Sequence, residues 1–327
     1  MYGQVSDRRV RLLIHQGQAA LEAGNFSLAI STFEDADRVA TDNVEIKRGL
    51  LLGYLHEDNL SLAEQIGSQA VAKWPKDAQL RHWLGLVYFK QERNSMALEE
   101  LQRSRTLDSS KFDIHFDISL VFLSQKLYSA AAEELETAIR IDRSKVMAHL
   151  LLGRAYQNSN RTLQAVEEFR KVLRLDPNAT LGHYHLGLAY ASLGRTQDAI
   201  AEYQKELVRS PGHPIVLYQL GHTLLEAGDS SHAVEYLNKA LEVAPDSFDA
   251  CYDLGKGFVA DRHPQAAIKL FQRAAQLKPA DPSPHYQLAR ILEKQSNSAE
   301  AQEEWRRFAE LKAAQKETGG MAAGPIQ

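Results

Sequence analysis

Apolar residues along this chain recur at i, i+3, i+4 and i+7, the spacing that gathers them on one face of an α-helix. In "YHLGLAYASLGRTQDAIAEYQKELVRSPGHP", residues 184–214, Leu186, Gly187 and Tyr190 mark the apolar face of one helix. Ala199, Ile200 and Tyr203 mark the matching face of a second. Between them "Gly194-Arg195-Thr196" reads as a turn, the glycine able to take a left-handed cap and Thr196 placed to cap the second helix. The proline after that helix ends it, because the residue before a proline is pushed out of the helical region.

The unit is then written again. "YQLGHTLLEAGDSSHAVEYLNKALEVAPDSF" begins at Tyr218, 34 residues after Tyr184. Gly153, Gly187, Gly221 and Gly255 hold that period; Ser119 and Gly85 extend it backwards and Ala289 forwards. Gly17 and Gly53 extend it further, at intervals of 36 and 32 that imply an insertion offset by a deletion. An alanine follows twelve residues after the marker, at Ala29, Ala97, Ala131, Ala165, Ala199, Ala233, Ala267 and Ala301; Ala63 falls two residues early. Prolines recur at Pro75, Pro177, Pro211, Pro245 and Pro279. Small residues at fixed places are what two crossing helices need, since a missing side chain lets the backbones approach.

The pattern resembles the tetratricopeptide repeat, a 34-residue helix-turn-helix unit. In the seventh unit the family positions fall on Leu217, Leu220, Gly221, Leu224, Gly228, Ala233, Leu237, Ala240 and Pro245. The resemblance implies an all-α, right-handed α-solenoid of nine repeats over residues 10–315, near 10–45, 46–77, 78–111, 112–145, 146–179, 180–213, 214–247, 248–281 and 282–315. Residues 1–9 read as an N-terminal extension and 316–327 as a disordered tail, low in hydrophobicity and Gly-rich. The last helix turns Trp305 and Phe308 inward and its charges outward, as the end of an open array requires. Ser119, Arg143 and Glu206 depart from the pattern, Glu206 standing where a small residue usually packs.

By the same resemblance the first helices line a concave groove, with the second, fifth, ninth and twelfth residue of each repeat facing it. The fifth position reads Ile14, Leu50, His82, Phe116, Leu150, Tyr184, Tyr218, Tyr252 and Tyr286. The ninth adds Arg154, Leu188, His222, Lys256 and Arg290. Tyrosine offers a stiff, wide contact surface with a polar tip. The expected partner is therefore a protein or peptide segment: apolar side chains between the tyrosines, acidic ones on Arg154, Lys256 or Arg290, with Asp249 and Asp253 partly offsetting that charge. Two readings of the tyrosines stay open, groove lining and packing between adjacent first helices. The alternative function is a structural spacer or assembly subunit of a larger envelope or secretion complex, using the convex face or the array ends. The fifth positions carry no lysines of the kind that clamp a chaperone's C-terminal carboxylate. The sixth positions, His185, Gln219, Asp253 and Gln287, are no asparagine column like that of the sugar-transferring nuclear enzymes.

Composition narrows the chemistry. At 327 residues, net charge −4 and pI ≈ 6.3, the chain has no basic excess for nucleic acid, and its 34-residue period is not the 35 of pentatricopeptide RNA binders. No apolar run approaches the about 18 residues of a membrane span, and "MYGQVSDRRVRLL" lacks a signal-peptide core. A cytoplasmic monomer is expected; a trimmed, exported mature form would have the same composition. The single Cys251 excludes a disulfide framework and reads as a packed apolar residue. His115, His149, His183 and His285 share the fourth position, but a metal site needs three or four donors about 2 Å from one ion, and residues one repeat apart are too distant. "GKGFVA", from Gly255, imitates a dinucleotide fingerprint without the strand it requires. No enzyme activity and no cofactor are implied.

Overall fold

The computed structural model describes residues 2–321, with side chains from 7 to 316. Among the described residues there are eighteen helices and no strand. They run as successive helix-turn-helix pairs: α1 (Tyr2–Glu22) with α2 (Phe26–Val39), α3 (Val44–His56) with α4 (Leu60–Lys73), and α5 (Ala78–Lys90) with α6 (Asn94–Leu107). Then come α7 (Phe112–Ser124) with α8 (Tyr128–Ile141), α9 (Val146–Asn158) with α10 (Thr162–Leu175), and α11 (Gly182–Ser192) with α12 (Thr196–Arg209). The last are α13 (Pro214–Glu226) with α14 (Ser230–Val243), α15 (Phe248–Ala260) with α16 (Pro264–Leu277), and α17 (Ser283–Lys294) with α18 (Ser298–Met321).

The turn inside each pair is the most regular feature of the chain. One residue there takes φ near +60 to +80°: Gly24, Asp58, Glu92, Lys126, Asn160, Gly194, Gly228, Arg262 and Ser296, each 34 after the last. The next residue donates its N–H to a carbonyl five residues back, as in Arg195 to Tyr190 at 2.9 Å, which satisfies a carbonyl at the helix end. Asn25, Asn59 and Asp229 then cap the second helix by side chain. Thr196 does not act as the expected cap: it is the first helical residue of α12, and the cap position is Arg195.

This strict period corrects the register of the second repeat. Asp58 lies 34 residues from both Gly24 and Glu92, so there is neither insertion nor deletion. The eighth position is Leu51, not Gly53, and the fifth is Arg48, not Leu50; α3 starts at Val44. In six other repeats a glycine at position eight faces a large residue at position 24. A Cβ on Gly187 would lie 2.6 Å from the Tyr203 ring, and one on Gly221 2.7 Å from Leu237. In the second repeat the sizes are exchanged: buried Leu51 faces Gly67, whose Cβ would meet it at 3.2 Å. Gly49 and Gly53 instead make room for Phe33 and Ile30 of α2. Ser119, which replaces glycine in the fourth repeat, turns its hydroxyl back onto the Phe116 carbonyl at 2.5 Å.

The sequence reads as one uninterrupted array, whereas the structure packs as two units, Met1–Leu175 and Asp176–Gln327. The first is filled by Phe33, Ile46, Leu51, Leu80, Leu101, Ile118, Leu135 and Phe169, all fully buried. The second is filled by Tyr203, Leu220, Leu237 and Phe271. Its start carries the Glu206 irregularity. Ala240 and Ala274 occupy the equivalent position in α14 and α16, but the buried Glu206 carboxylate needs donors. It takes the backbone N–H groups of His183 and Tyr184 at 3.1 and 3.3 Å. Helix α11 accordingly begins only at Gly182, behind Leu181 in the left-handed region at φ +58°.

Residues 2–9, read as an extension, lie within α1. The expected tail begins inside α18, which continues to Met321, in keeping with the helix-favouring "AAQKE". Residues 322–327 of that tail lie outside the described residues.

Candidate functional site

In the second unit, α11, α13, α15 and α17 each present one tyrosine at the fifth position, and all four are half-buried. Each ring leans on its own repeat. Tyr184 lies 6.2 Å from Tyr203, Tyr252 lies 5.5 Å edge-on to Phe271, and Tyr286 lies 5.5 Å from Trp305 and 5.4 Å from Phe308. That is the inward-facing role expected of Trp305 and Phe308.

The ninth position adds a second layer. His222 stacks on Tyr218 at 5.7 Å, Lys256 lies over Tyr252 at 5.7 Å, and Arg290 lies over Tyr286 at 5.5 Å. The i, i+4 spacing of a helix places each cationic or imidazole group one turn beyond its tyrosine. Leu188 holds the same place after Tyr184, half-buried. The column is thus aromatic–apolar at α11 and aromatic–cationic from α13 onward.

Asp253 ties two repeats together. It is buried, and it accepts from the Tyr218 hydroxyl at 3.2 Å, from His222 Nδ1 at 2.7 Å and from Lys256 Nζ at 2.9 Å. Burial would raise its carboxyl, but the hydrogen bonds from His222 and Lys256 outweigh burial and hold it below the usual carboxylate range. Hydrogen bonding to Asp253 pushes His222 up, against burial. Burial, with Asp253 and Asp249 nearby, pushes the Tyr218 phenol well above its ordinary value. Gln287 likewise donates to the Tyr252 hydroxyl at 3.2 Å. The Tyr218 and Tyr252 hydroxyls thus take part in inter-repeat bonding, while the rings of all four tyrosines stay partly open.

Phe116 and Arg154 belong to the first unit. Phe116 stacks on Phe112 at 5.4 Å, and Arg154 is exposed on α9. The first unit also holds a cleft of ≈ 970 Å³ that none of the expected residues lines except His82. Its walls include Arg48, Trp74, Lys76, Trp83 and Lys111. Arg48 holds Asp77, itself the cap of α5, and His82 holds Asp117 at 2.6 Å. The misread register of the second repeat hid Arg48; with Asp58 as marker, Arg48 falls at the fifth position beside His82. No group of three or more metal-ligating side chains occurs among the described residues. No described helix is long and apolar enough to cross a membrane.

A family model described as "Tetratricopeptide repeat" matches residues 15–78, 82–145, 150–214 and 218–282. The pair α17–α18 lies beyond the matched residues. Among solved structures, the "APC/C hetero-tetramer Cut9-Hcn1" is similar with TM-score 0.54 at 18% identity, over 82% of this chain and 52% of that one. The "MamA RS-1 ArsTM double mutant" is similar with TM-score 0.50 at 24% identity, over 52% of this chain and 96% of that one. At these identities the likeness is one of fold. No curated protein sequence matches the chain.

Proposed function

The chain belongs to the tetratricopeptide repeat family, whose members generally mediate protein–protein interaction, and on that premise we propose that it is a non-catalytic scaffold. It holds an extended or helical segment of a partner protein against the first-helix face of α11, α13, α15 and α17. The observation that carries this reading is the paired column of Tyr218, Tyr252 and Tyr286 with His222, Lys256 and Arg290. Partly open aromatic rings, each beside a cationic or imidazole group, offer apolar contact and charge at one-repeat intervals. The rings are already held by Phe271, Trp305 and Phe308, so little rotamer freedom is lost on binding.

The test is affinity capture from lysate of the source cell with wild type and the Tyr218→Ala/Tyr252→Ala double variant, matched for helix content by circular dichroism. The reading expects a partner held by wild type and lost by the folded variant. Equal recovery by both would move the interaction to the second-helix face, where Val208 is 82% exposed, and favour the spacer role.

A further inference from the structure

The cleft of the first unit has a chemistry of its own. It is walled by α3, α5 and α7 near their starts and by the turns that lead into α5 and α7. Its fifth-position residues, Arg48 and His82, are spent on Asp77 and Asp117. What stays open to a ligand therefore comes from the cleft's edge. Trp74 and Trp83 are half-buried there, each packing partly on the core of the first unit and lining the cleft with the rest. Among the described residues neither indole N–H meets an acceptor. Covering such a ring normally calls for one, so the pair suits a group that brings apolar surface and a carbonyl or carboxylate oxygen together.

The charges at the edge are sorted. The exposed ones on the cleft are Lys73, Lys76 and Lys111 against Asp113. Asp77 is turned onto Arg48, and Asp108 accepts from the Ser110 hydroxyl and N–H at 2.6 and 3.0 Å. Beyond Val44 and Trp74, which line both, the cleft continues into a depression of ≈ 470 Å³ bordered by α1 and α3. There the sign reverses: Asp7, Asp42 and Glu45 are exposed against Arg11. Lys73 pairs with Asp42 across the junction, and both are exposed, which makes the pair weak.

We propose that this groove is a second binding site, for an extended segment of a partner protein that is acidic at one end, apolar in the middle and basic at the other. Its acidic residues meet Lys76 and Lys111, its apolar side chains lie on Trp74 and Trp83, and its basic residues meet Asp7 and Glu45. The gradient decides how the segment lies, because reversing it sets like charges together at both ends. A segment of one sign throughout is repelled at one end, which is how the groove rejects it. The occupant is a chain and not a compact molecule, because the groove crosses α1, α3, α5 and α7, which pack in that order. Three helix-to-helix steps of about 8–10 Å need about seven to nine extended residues. The site stands independently of the second-unit face.

The test is tryptophan fluorescence, since two of the chain's three tryptophans line the groove. In the full chain carrying Trp305→Phe, emission comes from Trp74 and Trp83 alone. The probes are a synthetic nonapeptide of three glutamates, Leu-Phe-Leu and three lysines, and the same peptide in reverse order. Homopolar versions with glutamate or lysine at both ends, and N-acetylphenylalanine as a compact ligand, complete the set. The expected result is a saturable blue shift with one graded peptide, at an affinity roughly tenfold or more above that of either homopolar version. Lys76→Glu/Lys111→Glu, at two exposed positions, should keep its helix content by circular dichroism and lose roughly tenfold or more of that affinity. The proposal is overturned by any of four results: no saturable shift with either graded peptide, equal affinity for a homopolar one, binding of N-acetylphenylalanine as tight as that of the nonapeptide, or an unchanged affinity in the double variant.

Discussion

Tyr218 donates its hydroxyl proton to Asp253 at 3.2 Å, from the fifth position of one repeat to the sixth position of the next. Tyr252 and Gln287 make the same step, and so do His82 and Asp117 in the first unit. Neighbouring first helices are thus joined by side chains, and two of these, Tyr218 and Tyr252, belong to the proposed binding face. On the proposed reading, partner binding and array rigidity would be coupled at Tyr218 and Tyr252.

Replacing Tyr218 by Phe separates the two roles. It removes one hydrogen bond, worth roughly 0.5–1.5 kcal/mol, and keeps the ring. Denaturant melts should show a loss of that size, with partner capture retained. Tyr218→Ala should also lose capture. If Tyr218→Phe abolished capture in a folded protein, the hydroxyl and not the ring face would be the contact.

The His222–Asp253 pair gives a pH window. His222 is raised when folded, so its contribution is complete below its ordinary value of about 6.5 and is lost as pH rises through the folded value. Asp253 is lowered, so its contribution is complete above about 3.9 and is lost as pH falls through the folded value. Between about pH 4 and 6.5 the pair is worth most. The Tm difference between wild type and His222→Gln should be largest there and narrow toward alkaline pH. A difference that grows with pH would reverse the assignment.

The left-handed turns predict gains. A side chain in that region costs roughly 1–2 kcal/mol, whereas glycine's greater unfolded freedom costs roughly 0.5–1 kcal/mol. Lys126→Gly and Arg262→Gly, at φ +60° and +61°, should each stabilise by about 0.5–1 kcal/mol in urea melts. Gly194→Ala, at φ +69°, should destabilise by a similar amount. Opposite signs at these sites would mean that neighbouring contacts, not backbone conformation, set the turn.

The fold was legible because the period is written in backbone requirements: small residues at crossings, prolines after second helices, and a turn every 34 residues. The one register error shows where such reading stops. Gly53 imitates the crossing glycine, while Leu51 and Gly67 have exchanged sizes across the same contact, and only the packing reveals the exchange. The candidate site was half legible. The tyrosine column could be read from spacing, but not the Tyr218–Asp253 bond, because sequence spacing says which helix faces another, not which atoms meet. The histidines at position four can be seen as a column, but their pairing with a glutamate nineteen residues on cannot, because the two sit on different helices and only the packing brings them together.

The size exchange can be undone. Leu51→Gly alone opens a cavity and should cost roughly 2–5 kcal/mol or more. Gly67→Leu alone overpacks Leu51 and Leu84 and should cost roughly 1–3 kcal/mol. The double variant restores the arrangement of the other repeats and should recover most of that loss. Additive losses would mean that Leu51 and Gly67 are not the two sides of one contact.

The central claim is that a partner lies on the first-helix face of the second unit. Site-specific photo-crosslinking tests it most directly, with the reactive residue at position 252 on that face or at position 208 on the second helix α12. The account predicts a crosslinked partner from 252 and none from 208. A partner captured from 208 and not from 252 would contradict it.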